Sequence, residues 1–118
     1  MRVPRRLSMT RHEEFAAVRK RGKSAAGPYI VMGTLAEKSV EHLKIGFITS
    51  RRCARRAVVR NRIRRQFRAI LSKHGDRLES GRYLVMVGRH RAADASFQEL
   101  EAEWLRLAKR LGILRENP

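Results

Sequence analysis

Residues 51–68 read Arg-Arg-Cys-Ala-Arg-Arg-Ala-Val-Val-Arg-Asn-Arg-Ile-Arg-Arg-Gln-Phe-Arg. Nine of these eighteen positions are arginine and none is acidic. The stretch is patterned all the same. Val59, Ile63, Phe67, Ile70 and Leu71 recur at helical spacing and form one apolar stripe. At about 100° per residue, Asn61, Arg64, Arg65 and Arg68 fall on the opposite side, and Arg60 and Arg62 flank the stripe. The spacing predicts a helix with an aliphatic face for a core and a guanidinium face for an anion. A solvated helix face mixes Glu with Lys for pairing one turn apart. This one does not. Arginine presents a planar fork of donors that matches phosphate and stacks on bases, so the face suits a polyanion rather than one small ligand.

Composition supports that reading. The chain has 118 residues, the length of one domain with a single modest core. Its hydrophobic fraction of 42% is too high for a disordered basic tail. Lys and Arg number 28 against 11 acids, for a net charge of +17, which points to nucleic acid. A membrane-surface helix would expose apolar residues beside its cations, whereas here the apolar face is committed to a core. No run approaches the roughly 20 apolar residues needed to span a bilayer. The basic N-terminus lacks an apolar signal segment, so a cytoplasmic protein is expected. The single cysteine, Cys53, allows no intrachain disulfide and reads as a small packed residue. His12, His42, His74 and His90 stand at no metal-ligand spacing.

Along the chain, residues 1–9 read as an extended basic arm carrying Arg2, Arg5 and Arg6. Thr10 and Glu13 form a capping-box pattern before a short helix over residues 11–21, which carries Phe15 and Val18. Gly22 is its expected left-handed stop. Residues 29–35 read as a strand with apolar residues on both faces, and residues 43–50 as a second, with Leu43, Ile45 and Phe47 on one side. The short polar link between them suggests an antiparallel pair. Room remains for a short strand at 24–26. The continuous run at 83–87 predicts a strand covered on both faces, followed by a basic loop at 88–93. Ser96 and Glu99 make a second capping box, opening a helix over residues 97–111. Its stripe includes Leu100, Trp104 and Ala108, and its acids sit near the start, as the helix dipole favours. Residues 112–118 are an expected loose tail. The order α-β-β-α-β-α describes one α+β sandwich spanning residues 1–118.

The sequence contains no nucleophile elbow, phosphate loop with its Lys-Ser/Thr, or zinc signature. Glu13, Glu14, Glu99, Glu101 and Glu103 are accounted for by helix starts, Asp76 and Asp94 fall in expected loops, and His90 near Asp94 reads as a loop histidine. No catalytic residue and no protein-held metal is expected. What precedes the arginine helix is a strand, not the partner helix of a helix-turn-helix. A sheet edged by arginines suits single-stranded nucleic acid or folded RNA better than duplex DNA.

The run Arg60-Asn61-Arg62-Ile63-Arg64-Arg65, followed by Arg68 and preceded by Ser50-Arg51-Arg52 and Ala57-Val58, closely resembles the signature of the bacterial ribonuclease P protein component. The resemblance extends over nearly the whole chain. It takes in Arg6-Leu7 before the Glu-Glu-Phe helix, the Lys44-Ile45-Gly46-Phe47 strand and the closing amphipathic helix. It implies a small two-layer α/β sandwich related to a ribosomal-protein domain, with an unusual left-handed β-α-β crossover. It implies a protein subunit that joins a large catalytic RNA, one protein per RNA, to remove the 5′ leader of precursor tRNA. Magnesium ions held by the RNA would do the hydrolysis. By position, Arg51, Arg52, Arg60, Asn61, Arg62, Arg64, Arg65 and Arg68 would contact RNA. Phe15, Arg19, Tyr29, Val31 and Gly33 would form the leader cleft. Two departures stand out: Arg19 occupies the place of a second cleft aromatic, and Gly33 that of a tyrosine found in some members. A structural ribosomal or general RNA-binding protein is the alternative.

Overall fold

The computed structural model describes residues 7–115. In chain order these form α1 (His12–Arg21), β1 (Lys23–Ala26), β2 (Ile30–Ala36), β3 (Leu43–Ile48), α2 (Ala57–His74), β4 (Arg82–Gly88) and α3 (Phe97–Leu111). Short 3-10 turns follow α2 and β4. The strands make one mixed sheet in the order β1-β2-β4-β3. β4 pairs antiparallel with β2 and parallel with β3, and α2 is the crossover between the two parallel strands.

The predicted direct pairing of the 29–35 and 43–50 segments is therefore wrong: β4 lies between them. The physical reason is in β4 itself. Its run Tyr83-Leu84-Val85-Met86-Val87 is apolar on both faces, so it takes a central place with both edges paired. The link over residues 37–42 spans the width of that inserted strand.

One face of the sheet carries the main core. Ile30, Met32, Leu43, Ile45, Leu84 and Met86 meet the α2 stripe of Ile63, Phe67, Ile70 and Leu71 and the α3 stripe of Leu100, Trp104 and Leu107. All are buried. Among the described residues the other face carries a single helix, α1, through a smaller cluster of Met9, Val18 and Val85 with Phe15, Leu35, Tyr83 and Val87 at its margin. Gly46 permits this contact. A Cβ there would stand 2.5 Å from the Phe15 ring, so the ring lies directly on the strand. Because α1 is short, parts of this face stay open on either flank of it.

Two details of α1 differ from expectation. Glu14, not Glu13, folds back over the helix start. Its Oε1 accepts from the Thr10 and Arg11 amides at 3.1 and 3.0 Å. Its Oε2 takes Lys44 Nζ of β3 at 3.0 Å, and this tertiary partner decides which glutamate turns inward. Gly22 is extended (φ −86°, ψ −178°) rather than left-handed. Glycine is required there for space, since a Cβ would meet Thr34 O at 2.4 Å and Val18 O at 2.5 Å.

The second capping box forms as predicted. Ser96 Oγ accepts from the Glu99 amide and Glu99 Oε1 from the Ser96 amide, at 3.1 and 2.9 Å. Gly112 (φ 71°) ends α3 in the left-handed conformation. Glu103 does more than favour a helix start. It is buried, and its Oε2 accepts from the Tyr29 and Ile30 amides at 2.9 and 2.7 Å, tying α3 to the β1–β2 turn. The basic loop after β4 coils into the 3-10 segment His90–Asp94 with Ala92 buried.

Both ends are less free than expected. Ser8 bridges Ile45 and the Met9 amide donates to Ile45 O at 2.9 Å, so this part of the arm lines the outer edge of β3. The remaining basic arm, residues 1–6, falls outside the described residues. At the other end Ile113 is buried and Leu114 bridges Leu78, which removes residues 112–115 from the loose tail. Residues 116–118 fall outside the described residues.

Candidate nucleic-acid interface

The face of α2 away from the core divides into two groups of arginines. Arg60, Arg62 and Arg64 are half-buried and hold local structure. Arg60 Nη1 donates to the carbonyls of Ala54 and Arg55 at 3.0 and 2.7 Å, closing the loop that leads into the helix. Arg62 Nη2 donates to Ala93 O at 2.5 Å, and Arg64 Nε to Thr49 Oγ1 at 3.2 Å. Arg51, Arg52, Asn61, Arg65 and Arg68 are exposed, together with Arg55 and Arg56. Arg68 lies over the Phe47 ring at 5.7 Å, which holds its guanidinium against the sheet edge.

Among the described residues, nothing neutralises this surface from within. The salt bridges among the described residues use Arg21, Lys44, Lys73, His74, Arg82 and Arg106, and none uses an arginine of residues 51–68. Nor is the start of α2 capped. Its N-cap, Arg56, makes no side-chain hydrogen bond and the first turn holds no acid. The positive end of the helix dipole therefore faces outward among Arg51, Arg52, Arg55 and Arg56. Val58 is 69% exposed beside them, so the face offers apolar as well as cationic contact.

On the other side of the sheet, α1 leaves a groove of 330 Å³. Its floor is Val31, Gly33, Val85 and Val87, its walls are Phe15, Val18 and Ile48, and Arg19 stands on its rim. Phe15, Arg19, Val31 and Gly33 thus come together as the resemblance implies. Tyr29 does not join them. It precedes β2 and turns the other way: its hydroxyl donates to Glu99 Oε2 at 2.9 Å and Arg91 lies over its ring at 5.8 Å. That hydrogen bond holds the Tyr29 phenol above its ordinary pKa. Tyr29 is committed to α3 because Glu103 anchors its amide on that side of the sheet. At Gly33 a side chain would begin 3.1 Å from Val18 Cγ1, so the bare backbone fits the close approach of α1.

Val18, Ile48, Val85 and Val87 were not identified from sequence as groove residues. The alternation of the 83–87 strand puts Val85 and Val87 on one face. Only the register, Gly33 opposite Val85 and Val31 opposite Val87, places them in the groove. The two surfaces meet at the end of β3. Ile48 lines the groove, and its neighbour Thr49 receives Arg64 of α2.

Among the described residues, no three His, Cys, Asp or Glu side chains gather where they could hold a metal ion. Glu14, Glu99, Glu101 and Glu103 serve structure. Burial raises Glu14, but the hydrogen bond from the Arg11 amide and the Lys44 ammonium outweigh it and leave the carboxyl below its ordinary value. Glu101 is held low by Lys73 and His74. Cys53 is buried, and burial pushes its thiol up, away from the reactive thiolate. No described helix is long and apolar enough to cross a membrane.

Fold and surface together define a class: a small α+β sandwich that sets a wall of guanidinium groups beside a half-covered sheet. The particular family follows from comparison with known proteins. Residues 3–112 match the family model described as Ribonuclease P. The ribonuclease P protein component of Bacillus mycoides (strain KBAB4) is 32% identical over 105 residues, covering 89% of this chain and 90% of that one. That of Syntrophomonas wolfei is 29% identical over 104 residues, covering 88% and 86%. The chain belongs to the ribonuclease P protein family. Solved structures carry the same fold. The Staphylococcus aureus RNase P protein aligns with a TM-score of 0.84 at 21% identity, covering 92% of this chain and 98% of that one. The Thermotoga maritima protein aligns with a TM-score of 0.72 at 22% identity, covering 93% and 94%.

Proposed function

We propose that this chain, as the protein subunit of ribonuclease P, binds the catalytic RNA through the exposed arginines of α2. We propose further that it holds the 5′ leader of precursor tRNA in the groove beside α1. The observation that carries the reading is the pairing of two unlike surfaces. One is a guanidinium face with no counter-charge among the described residues, which costs self-repulsion until phosphate covers it. The other is an apolar groove with one aromatic wall and a cationic rim, which suits the bases and phosphates of a single strand.

In this scheme Phe15 offers its ring to a base, and Arg19 grips phosphate or stacks where a second aromatic would stand. Val31, Val85 and Val87 give a floor without hydrogen-bonding groups, so the groove holds a strand with little sequence preference. Arg51, Arg52, Arg65, Arg68 and Asn61 meet RNA directly. Arg60, Arg62 and Arg64 shape the surface that does so. The protein neutralises phosphate charge and positions substrate, and the RNA performs hydrolysis of the leader. A protein-held magnesium site does not fit the described residues, which bring no three ligand groups together. The cation belongs with the RNA in this proposal. One protein per RNA, in the cytoplasm, completes it.

The test is reconstitution of the chain with a ribonuclease P RNA and precursor tRNA at low magnesium. Leader removal above that of the RNA alone is expected, and no gain would refute the proposal. In the same assay Phe15→Ala lowers affinity for leader-bearing precursor by about tenfold, the scale of one base–aromatic stack, and barely changes leaderless tRNA. Equal losses for both would contradict the groove assignment.

A further inference from the structure

The apolar groove ends at Gly22 and Ser24, and Gly22 also lines a second depression. This second groove, of 370 Å³, opens where α1 turns into β1, and the C-terminal end of α3 closes it at Leu111 and Gly112. Arg21, Lys23 and Arg82 line it, and among the described residues no carboxylate does. Arg82 is its inner wall. That side chain is 16% exposed, with Nη1 on Thr34 Oγ1 at 3.1 Å, and its Nε is buried with no hydrogen-bond partner. Two carboxylates stand nearby, Glu37 at 3.8 Å from Arg21 and Glu79 at 3.4 Å from Arg82. Both distances exceed the roughly 2.7–2.9 Å of a tight charge-assisted hydrogen bond, so neither saturates its guanidinium. A further groove on the other flank of α1 differs in kind. Glu13, Glu14 and Glu37 line it alongside its cations, which suits no polyanion.

The register connects the two neighbouring grooves. Ser24 pairs with Gly33, a rung of the apolar groove, and Lys23 pairs with Thr34, the next rung and part of the cationic one. A strand leaving the apolar groove past Gly22 turns over the end of β1 and meets Lys23, Arg21 and then Arg82. We propose that this second groove binds backbone phosphates of the same single-stranded RNA whose bases occupy the first. It would thereby extend the leader track around the sheet end, away from the arginine helix. The proposal rests on the leader reading given above. Its chemistry is phosphodiester recognition by charge, with no base selectivity.

The experiment uses the reconstituted holoenzyme and precursors with leaders of about four and about twelve nucleotides, lengths within the usual span of single-strand sites. The unmodified protein should bind the longer leader more tightly, by roughly three- to tenfold. Lys23→Gln and Arg21→Gln should each remove much of that increment and leave the short leader unchanged. The salt dependence for the long leader should fall by about 0.7 in log–log slope for each phosphate that is no longer neutralised. Lys38→Gln removes an equal charge from an exposed site elsewhere and should alter neither. Equal losses on short and long leaders, an equal effect of Lys38→Gln, or an intact increment in both groove variants would overturn the extended track. If Phe15→Ala weakens both leaders while Lys23→Gln spares the increment, the extension alone fails. If the unmodified protein binds leader-bearing and leaderless tRNA equally, the leader reading fails with it.

Discussion

α2 and α3 pack side by side on one face of the same sheet, yet their outer faces follow opposite rules. In α3 the local choices agree. Ser96 and Glu99 cap the start, Gly112 ends it, and each of its first-half glutamates has a partner. Glu99 bonds Tyr29 and the Ser96 amide, Glu101 holds Lys73 and His74, and Glu103 anchors the β1–β2 turn. In α2 the start has no side-chain cap and no acid, and its exposed arginines pair with no described carboxylate. Both helices bury an apolar stripe against the sheet, so the presence of a core face does not explain the contrast. The difference fits the proposed function: α3 is written for the fold, and α2 in that reading partly for a partner. In that reading the cost of its charge falls on the free protein and is recovered on binding.

The comparison can be broken most decisively in the core. Trp104 is fully buried on α3, so Trp104→Ala should lower unfolding free energy by about 3–5 kcal/mol in denaturant titration. The fraction that remains folded should bind RNA normally. Loss of RNA affinity in that fraction would blur the division of labour. Arg65→Glu addresses the other helix. It should weaken binding to the catalytic RNA by about tenfold and reduce the salt slope by about one. Its unfolding midpoint should stay within the shift expected of a surface change, about 0.5 kcal/mol. A collapsed folding transition with unchanged RNA affinity would reverse the assignment of faces.

Smaller effects sharpen the contrast at the helix starts. Ser96→Ala removes the α3 cap and should cost about 1 kcal/mol of stability with no change in RNA binding. Acid titration gives the smallest and most diagnostic effect. Glu14, Glu99 and Glu101 are all held below the ordinary carboxyl value of 4.5 in the folded protein. A depressed folded pKa contributes stability that is complete above the unfolded value and disappears as pH falls through the folded one. Melting temperature should therefore hold above about pH 5 and decline below the ordinary carboxyl value. Glu99→Gln should flatten that decline, whereas Arg65→Gln should leave its shape alone. An unchanged acid limb in Glu99→Gln would show that its hydrogen bonds to Ser96 and Tyr29 carry no net stability.

The helices were the legible part because their periodicity is local. The α2 stripe, the α3 capping box and the buried run of β4 could all be read from neighbouring residues. Sheet order could not, since short-link logic joined β2 to β3 and only the two-sided apolarity of β4 explains its insertion between them. The groove was legible in part. Phe15, Arg19, Val31 and Gly33 converge, but Tyr29 leaves because Glu103, 74 positions later, captures its backbone. Separation in sequence also hid the roles of Arg62 and Arg64, whose acceptors Ala93 and Thr49 lie 31 and 15 positions away.

The sequence by itself determined the arginine face, the apolar stripe behind it, the charge that calls for a polyanion, and the family signature. These depend on residue type and on spacing within one helix. Only the tertiary structure decided which arginines are free to meet a partner, which strands are neighbours and where the groove runs. Those depend on contacts between residues far apart in the chain, whose geometry local preference does not encode.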